Sequence, residues 1–277
     1  VHSTKYFQPS KESVAPTLET QEWVLYEAER AYGSCVWTLP DGFDSRDAFE
    51  ASLQRLDMTS SPGFPYLKEA TTNGQWLKWN GVQCDSIQKD RLWYDVQLVL
   101  RDQWDTVIRV FIKQEPHKVS KALEGRWRLI MAAPLSVQIA WQMLFGFQND
   151  LEIKQSYFIP SQQGLVMTGG GWKTYRSSWV QKGLTCGLDK SAWDWTAPSW
   201  SLQLDLELRF RLGRGKELDR WYQIGKILYR HMFEDPKLIL SDGSLFRQVV
   251  PGVMKSGCVN TISTNSHCQI FVHLVVC

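Results

Sequence analysis

Neither sign of charge dominates this sequence, in which 31 Lys and Arg face 29 Asp and Glu and leave a formal +2. That balance excludes a global polyelectrolyte, so any surface for a phosphate chain must come from local clustering. No apolar run approaches the ~20 residues a membrane-spanning helix needs, and no charged-then-apolar leader opens the chain. A soluble protein is expected. Cys-x-x-Cys is missing too: Cys35, Cys84, Cys186, Cys258, Cys268 and Cys277 are scattered, which points to reduced thiols and an intracellular compartment. The Cys and His residues between Cys258 and Cys277 fit no finger spacing, and one helix cannot surround a metal, so zinc is not expected. There is no internal repeat. Gly164–Lys173 lacks the Lys-Ser/Thr ending of a phosphate loop.

What is present in quantity is aromatic surface, 13% of the residues with 14 tryptophans, most of it expected in the core. A chain of 277 residues is ample for one large domain or two smaller ones. Helices are expected over Gln21–Ala31, Asp85–Trp104, Ser136–Phe147 and Glu217–Met232. Strands are expected over Thr106–Ile112 and Leu129–Ala132, with a hairpin over Lys237–Val250 around Ser241-Asp242-Gly243-Ser244. Ser199–Arg211 poses a conflict. Leu202, Leu204, Leu206, Leu208 and Phe210 alternate as in a strand, while Pro198 and the many helix formers favour a helix, which is the choice made.

Four stretches carry possible chemistry. Gly187–Pro198 reads GLDKSAWDWTAP, and a strand ending at Leu188 would present Asp189 to a hard cation such as Mg²⁺. Alone, the pair favours the plainer reading, Asp189 as a turn cap and Asp194 as a solvated carboxylate. Gly252–Ser266 reads GVMKSGCVNTISTNS; its pattern turns helical from Gly257, so Thr261 and Asn265 share a face able to read a sugar. Lys113–Arg128 places Lys113, Lys118, Lys121, Arg126 and Arg128 in one loop between strands, either a solvated face or an anion site. Ser60–Tyr66, SSPGFPY, is a stiff extended loop.

In this order the stretches resemble the RNA-dependent RNA polymerases of positive-strand RNA viruses. The pair Asp189-x₄-Asp194 resembles that family's motif A, and Ser256-Gly257-x₃-Thr261-x₃-Asn265 its motif B. Lys113-x-Glu115 with Arg128 is similar to motif F, and Ser61-Pro62-Gly63 to motif G. WDW after Asp189 and the closing TNS look most like the sobemovirus-like members. His117-Lys118 departs from relatives that place an arginine there.

The resemblance implies an α+β fold, the right-hand polymerase architecture with fingers and the front half of an antiparallel palm sheet, thumb absent. It divides the chain into an N-terminal fingers extension over 1–59, fingers over 60–180 and a partial palm over 181–277. It implies Asp189 as catalytic and metal ligand for Mg²⁺ or Mn²⁺, and Asp194, Ser256, Gly257, Thr261 and Asn265 as the nucleotide and ribose site. Lys113 and Arg128 would hold the triphosphate, and Ser61, Pro62 and Gly63 would line the template entrance. The partners would be an RNA template and product, ribonucleoside triphosphates and other viral replication proteins, in the host cytoplasm at replication complexes. No Gly-Asp-Asp, the family's motif C, occurs in the 277 residues, so the chain by itself is expected to be inactive. A non-catalytic RNA-binding module and a reverse transcriptase are the alternatives.

Overall fold

The computed structural model describes residues 5–7 and 11–276. Its centre is helix α4, Leu135–Gln155, which buries residues all round its circumference, among them Leu135, Ile139, Trp141, Leu144 and Phe145. A helix apolar on every side must be surrounded. Around it pack α2, Arg46–Leu53, α3, Ser86–Leu100, and α7, Leu218–Tyr229. The aromatic excess collects here, where Trp141 stacks on Tyr229 and Phe145 meets Trp221 edge-on.

A second layer is built on α6, Ser199–Leu212, which packs against α1, Leu18–Ala31, α7, and α8, Thr261–Val276. This resolves the conflict over Ser199–Arg211. The alternation does not signal a two-faced strand, because Leu202, Leu204, Leu206 and Leu208 are all buried by neighbours on several sides. Trp37, from the two-residue strand β1, Trp37–Thr38, donates its indole N–H to Arg209 O at 2.9 Å. β1 pairs in parallel with β4, Gly213–Arg214. Val24, Leu25, Tyr32, Trp37, Phe49 and Leu53 therefore belong to the same core as α4 and α6.

The main sheet has four strands in the order β3-β2-β5-β6: β2 is Val107–Ile112, β3 Leu129–Ala132, β5 Lys237–Ile239 and β6 Leu245–Arg247. β2 and β3 form the expected antiparallel hairpin, Arg109 opposite Ala132, and β5 and β6 form the other. β2 joins β5 in parallel, Val107 opposite Lys237.

Two expectations are corrected. Residues 184–190 form no helix or strand, and Leu188 is 79% exposed, so no strand ends at Leu188. A strand needs a partner for its backbone N–H and C=O groups, and none of the described residues supplies one. Between residues 181 and 277 the antiparallel pairing among the described residues is the β5–β6 hairpin, with an isolated bridge between Pro198 and Gly252. The helix after Ser256 starts at Thr261, not Gly257, because Gly257 has φ +128°. A Cβ there would also lie 2.8 Å from Met131 O, so only glycine fits.

Candidate active site

An open cleft of about 610 Å³ lies between the loop joining β2 to β3 and the turn at residues 191–196. One wall carries Lys113, Lys121, Arg126 and Arg128; the other carries Trp193, Asp194 and Ser256, with Met131 and Met254 between. A second opening of about 640 Å³, beside Pro198 and Trp200, has Lys11 as its one charged side chain among the described residues. The chemistry therefore favours the first.

The cationic wall is braced before any ligand arrives. Lys113 N–H donates to Arg128 O at 2.9 Å, closing the base of the loop. Glu115 then takes Lys113 Nζ at 2.8 Å and Arg128 Nη1 at 2.7 Å. Both cations hold Glu115 below the usual carboxylate range, Lys113 foremost. This explains the Lys-x-Glu spacing: one carboxylate fixes two cations whose remaining donors stay available to phosphate oxygens. His117 turns inward, bonding Lys113 O at 3.2 Å and meeting Trp127 edge-on, so it does not replace an arginine on this wall.

Opposite, Ala192 in the left-handed region (φ 51°) opens the one-turn helix Trp193–Thr196. Asp194 accepts the Ser256 hydroxyl at 2.5 Å on Oδ2, and its own carbonyl takes Met254 N–H at 2.8 Å. Residues 252–256 are further tied to this turn by Val253 N–H to Ala197 O at 3.3 Å, and to β3 by Met131 N–H to Ser256 O at 2.8 Å. Gly252, at φ +112°, lies so close that a Cβ would approach Ala197 O to 2.9 Å. The glycines at 252 and 257 thus permit close backbone approach rather than merely flexibility.

Lys255 is the residue that sequence reasoning missed. Fully buried, its Nζ donates to Gly252 O at 3.0 Å, Val253 O at 2.8 Å and Gln248 Oε1 at 2.8 Å. Burial pulls its pKa down to about 7, yet only the protonated form has three N–H donors for the three acceptors. The one available signal was a lone lysine in the otherwise small and apolar stretch GVMKSG.

The other expected site residues are distributed unevenly. Asp189 is exposed and makes no hydrogen bond or ion pair among the described residues, and it does not line the cleft. Thr261 donates its hydroxyl to Cys258 O at 2.7 Å and is occupied in starting α8. Asn265 bonds the indole of Trp193. Ser61, Pro62 and Gly63 sit at the junction of β3 and α4: Leu135 N–H donates to Pro62 O at 2.8 Å, and Arg109 reaches Ser61 Oγ at 3.3 Å. No group of three or more His, Cys, Asp or Glu able to hold a metal occurs among the described residues. The five described cysteines, Cys277 lying outside the described residues, are free thiols.

With this geometry in view, a profile of the viral RNA-dependent RNA polymerases matches residues 5–275, nearly the whole chain. The chain belongs to that family. A replicase polyprotein of Southern bean mosaic virus, a sobemovirus-type relative, is 34% identical over 234 residues, 78% of this chain and 24% of that protein. An RNA-directed RNA polymerase of Mushroom bacilliform virus is 32% identical over 226 residues, 76% of this chain and 53% of that one. Among solved structures, a sicinivirus RNA-dependent RNA polymerase superimposes with a TM-score of 0.71 at 18% identity, over 99% of this chain and 56% of that one. That likeness shows the fold, the right-hand polymerase architecture. The chain thus spans about a quarter to a half of the length of these relatives. No described helix of this family member is long and apolar enough to cross a membrane.

Proposed function

We propose that this segment loads ribonucleoside triphosphates for an RNA-directed RNA polymerase, which adds them to an RNA 3′ end as a template directs in viral genome replication. The supporting observation is the cleft itself, with a braced cation set facing the Asp194–Ser256 pair. Lys113 and Arg128 bind the triphosphate, and fixed cations of this kind match the charge of a transferring phosphoryl group. Asp194 and Ser256, with Asn265 behind Trp193, meet the sugar, while Gly257 and Thr261 shape the loop that carries Ser256. Ser61, Pro62 and Gly63 form the rigid rim assigned to the template entrance.

Polymerases of this family generally use divalent ions. Mg²⁺ or Mn²⁺, when bound, would stabilise the attacking and leaving oxygens. Asp189, exposed and without a partner among the described residues, fits one ligand of such an ion, but those residues do not assemble the rest. RNA template and product, other viral replication proteins and a place in host cytoplasmic replication complexes belong to the same reading. So does the division at 59 and 180, which is functional rather than a break in packing. The family assignment supports this reading over a reverse transcriptase or a non-catalytic RNA-binding module.

The test is the affinity of the chain for a ribonucleoside triphosphate by fluorescence polarisation. Arg128→Ala and Lys113→Ala are each expected to weaken it about tenfold, the effect of one charge-assisted contact. Affinity unchanged in both variants would place the triphosphate elsewhere.

A further inference from the structure

Between Glu152 and Asp189 the sequence has no acidic residue, while Lys154, Lys173, Arg176 and Lys182 fall within it. Glu152 itself is buried and takes Gln163 Nε2 at 2.8 Å, so it adds no charge to the surface. Elsewhere on the surface Arg46, Arg91, Arg211 and Arg220 each pair with a carboxylate. Lys173, Arg176 and Lys182 form no ion pair among the described residues.

The same stretch keeps its apolar groups outside. Helix α5, Trp172–Gln181, buries none of its residues. It is anchored through Tyr175, whose hydroxyl shares a hydrogen bond of 2.8 Å with Ser156 Oγ and whose ring lies 5.5 Å from that of Tyr157. Tyr157 in turn meets Phe158 edge-on, and Tyr175 neighbours Trp179, so a row of aromatics runs from the end of α4 along α5. Gly171 sits against Val166, where a Cβ would approach Val166 O to 3.0 Å, which brings Val166 and Met167 to the N-terminal end of α5. Phe158 is 71% exposed, Met167 69% and Val180 61%. A helix this short is marginal in water unless it buries a face, and contiguous exposed apolar surface marks a binding face.

Charge and shape select the occupant. Cations with no acid among them require an anionic partner. A polynucleotide is tracked along a groove with its bases stacked on open ring faces. Here neither of the two openings described above is lined by this stretch, and Val166, Met167 and Val180 offer no stacking plane. Trp and Tyr beside Lys and Arg, with aliphatic groups between them, suit a lipid headgroup layer. We propose that the face formed by α5 and residues 154–167 docks on an anionic phospholipid surface, with Phe158, Met167 and Val180 entering the headgroup layer and Lys173, Arg176 and Lys182 meeting its anionic groups. The docking is peripheral, because α5, at 10 residues, is too short to span a bilayer. The face lies outside the nucleotide cleft and does not depend on how that cleft is read.

The test is co-sedimentation of the chain with vesicles of phosphatidylcholine alone and of phosphatidylcholine mixed with phosphatidylserine. The wild type is expected to sediment with the mixed vesicles and to be released by salt, which screens the attraction. Each cation near such a surface contributes about fivefold in affinity, so Lys173→Gln combined with Arg176→Gln should weaken binding about thirtyfold. Phe158→Ser should weaken it as well but leave its salt dependence unchanged, which a purely electrostatic encounter would not show. All three side chains are exposed, so these variants should keep the wild-type urea midpoint and nucleotide affinity. A wild-type chain that ignores the mixed vesicles, or binds both kinds alike, overturns the proposal, and so does a double variant that binds as tightly as the wild type. Binding of a single-stranded oligonucleotide that is lost in the double variant, with no binding of vesicles, overturns it in favour of RNA. Each of these results leaves the nucleotide reading untouched.

Discussion

Asp205→Ala is expected to destabilise the fold by about 3–5 kcal/mol, the usual effect of stripping one partner from a buried charge pair. Asp205, wholly buried on α6, takes Arg209 Nε at 3.2 Å, His267 Nδ1 at 2.5 Å, the Tyr229 hydroxyl at 2.5 Å and Thr264 Oγ1 at 2.7 Å. His267 also lies 3.0 Å from Glu152 Oε1, an ion pair outside hydrogen-bond geometry. Two carboxylates and two cations thus make a neutral cluster that joins α4, α6, α7 and α8. Burial disfavours the charged Asp205, but Arg209 and His267 outweigh it and hold its pKa well below the usual range. The variant leaves Arg209 and His267 charged in an apolar interior. Against a typical total of about 5–15 kcal/mol, the expected result is a large drop in the urea midpoint. A midpoint within error of wild type would mean that the cluster is not organised as described.

The same cluster sets a pH dependence. Burial opposes the charged His267 ring, yet Glu152 and Asp205 lift its pKa to about 9. A raised pKa gives stability that is complete below the unfolded value of about 6.5 and is lost as pH rises through 9. Lys255 titrates in the other sense: its folded pKa of about 7 lies below the unfolded value, so its contribution grows with pH above 7. In the wild type the two slopes partly cancel between pH 7 and 9. With Lys255 replaced by Met, the loss due to His267 should emerge in urea titrations across that range.

Lys255→Met should also open the loop that carries Ser256. Methionine fills about the same volume but leaves Val253 O and Gln248 Oε1 without the Lys255 Nζ donor, while Gly252 O keeps Gln248 Nε2 at 3.0 Å. Each buried acceptor left unmet costs about 1–3 kcal/mol. The strain already in the loop, with Val253 at φ +62°, makes it the segment to yield. The expected outcome is faster amide exchange over residues 248–257, with α4 and α7 unchanged, and a weakened Ser256–Asp194 contact. Unaltered exchange in that loop would show that Lys255 does not hold it.

Much of the fold was legible because its elements have strong local signals. The β2–β3 hairpin around the basic loop, the turn at Ser241–Ser244 and the helix at α7 follow directly from apolar periodicity and turn residues. α6 was readable only through its helix formers, since its leucines obey burial from several sides rather than one. The strand before Asp189 failed for a different reason. A strand depends on a partner distant in sequence, and local pattern cannot report whether that partner is there. At the site, the basic cluster between β2 and β3 was visible in the sequence, and the grouping of Asp194 with Ser256 came from the family resemblance. Neither the inward Lys255 nor the Trp193–Asn265 bond was visible, because both depend on how the loop folds back on the turn.

The central claim is that a triphosphate lies in the cleft between Arg128 and Asp194. Photo-crosslinking with an azido-purine ribonucleoside triphosphate, followed by peptide mapping, tests it most directly. Labelled peptides should come from residues 113–131 and from 191–196 or 254–256, with labelling competed by unmodified nucleotide and reduced in Arg128→Ala. Specific, competable labelling confined to other segments, such as the opening beside Trp200, would contradict the account.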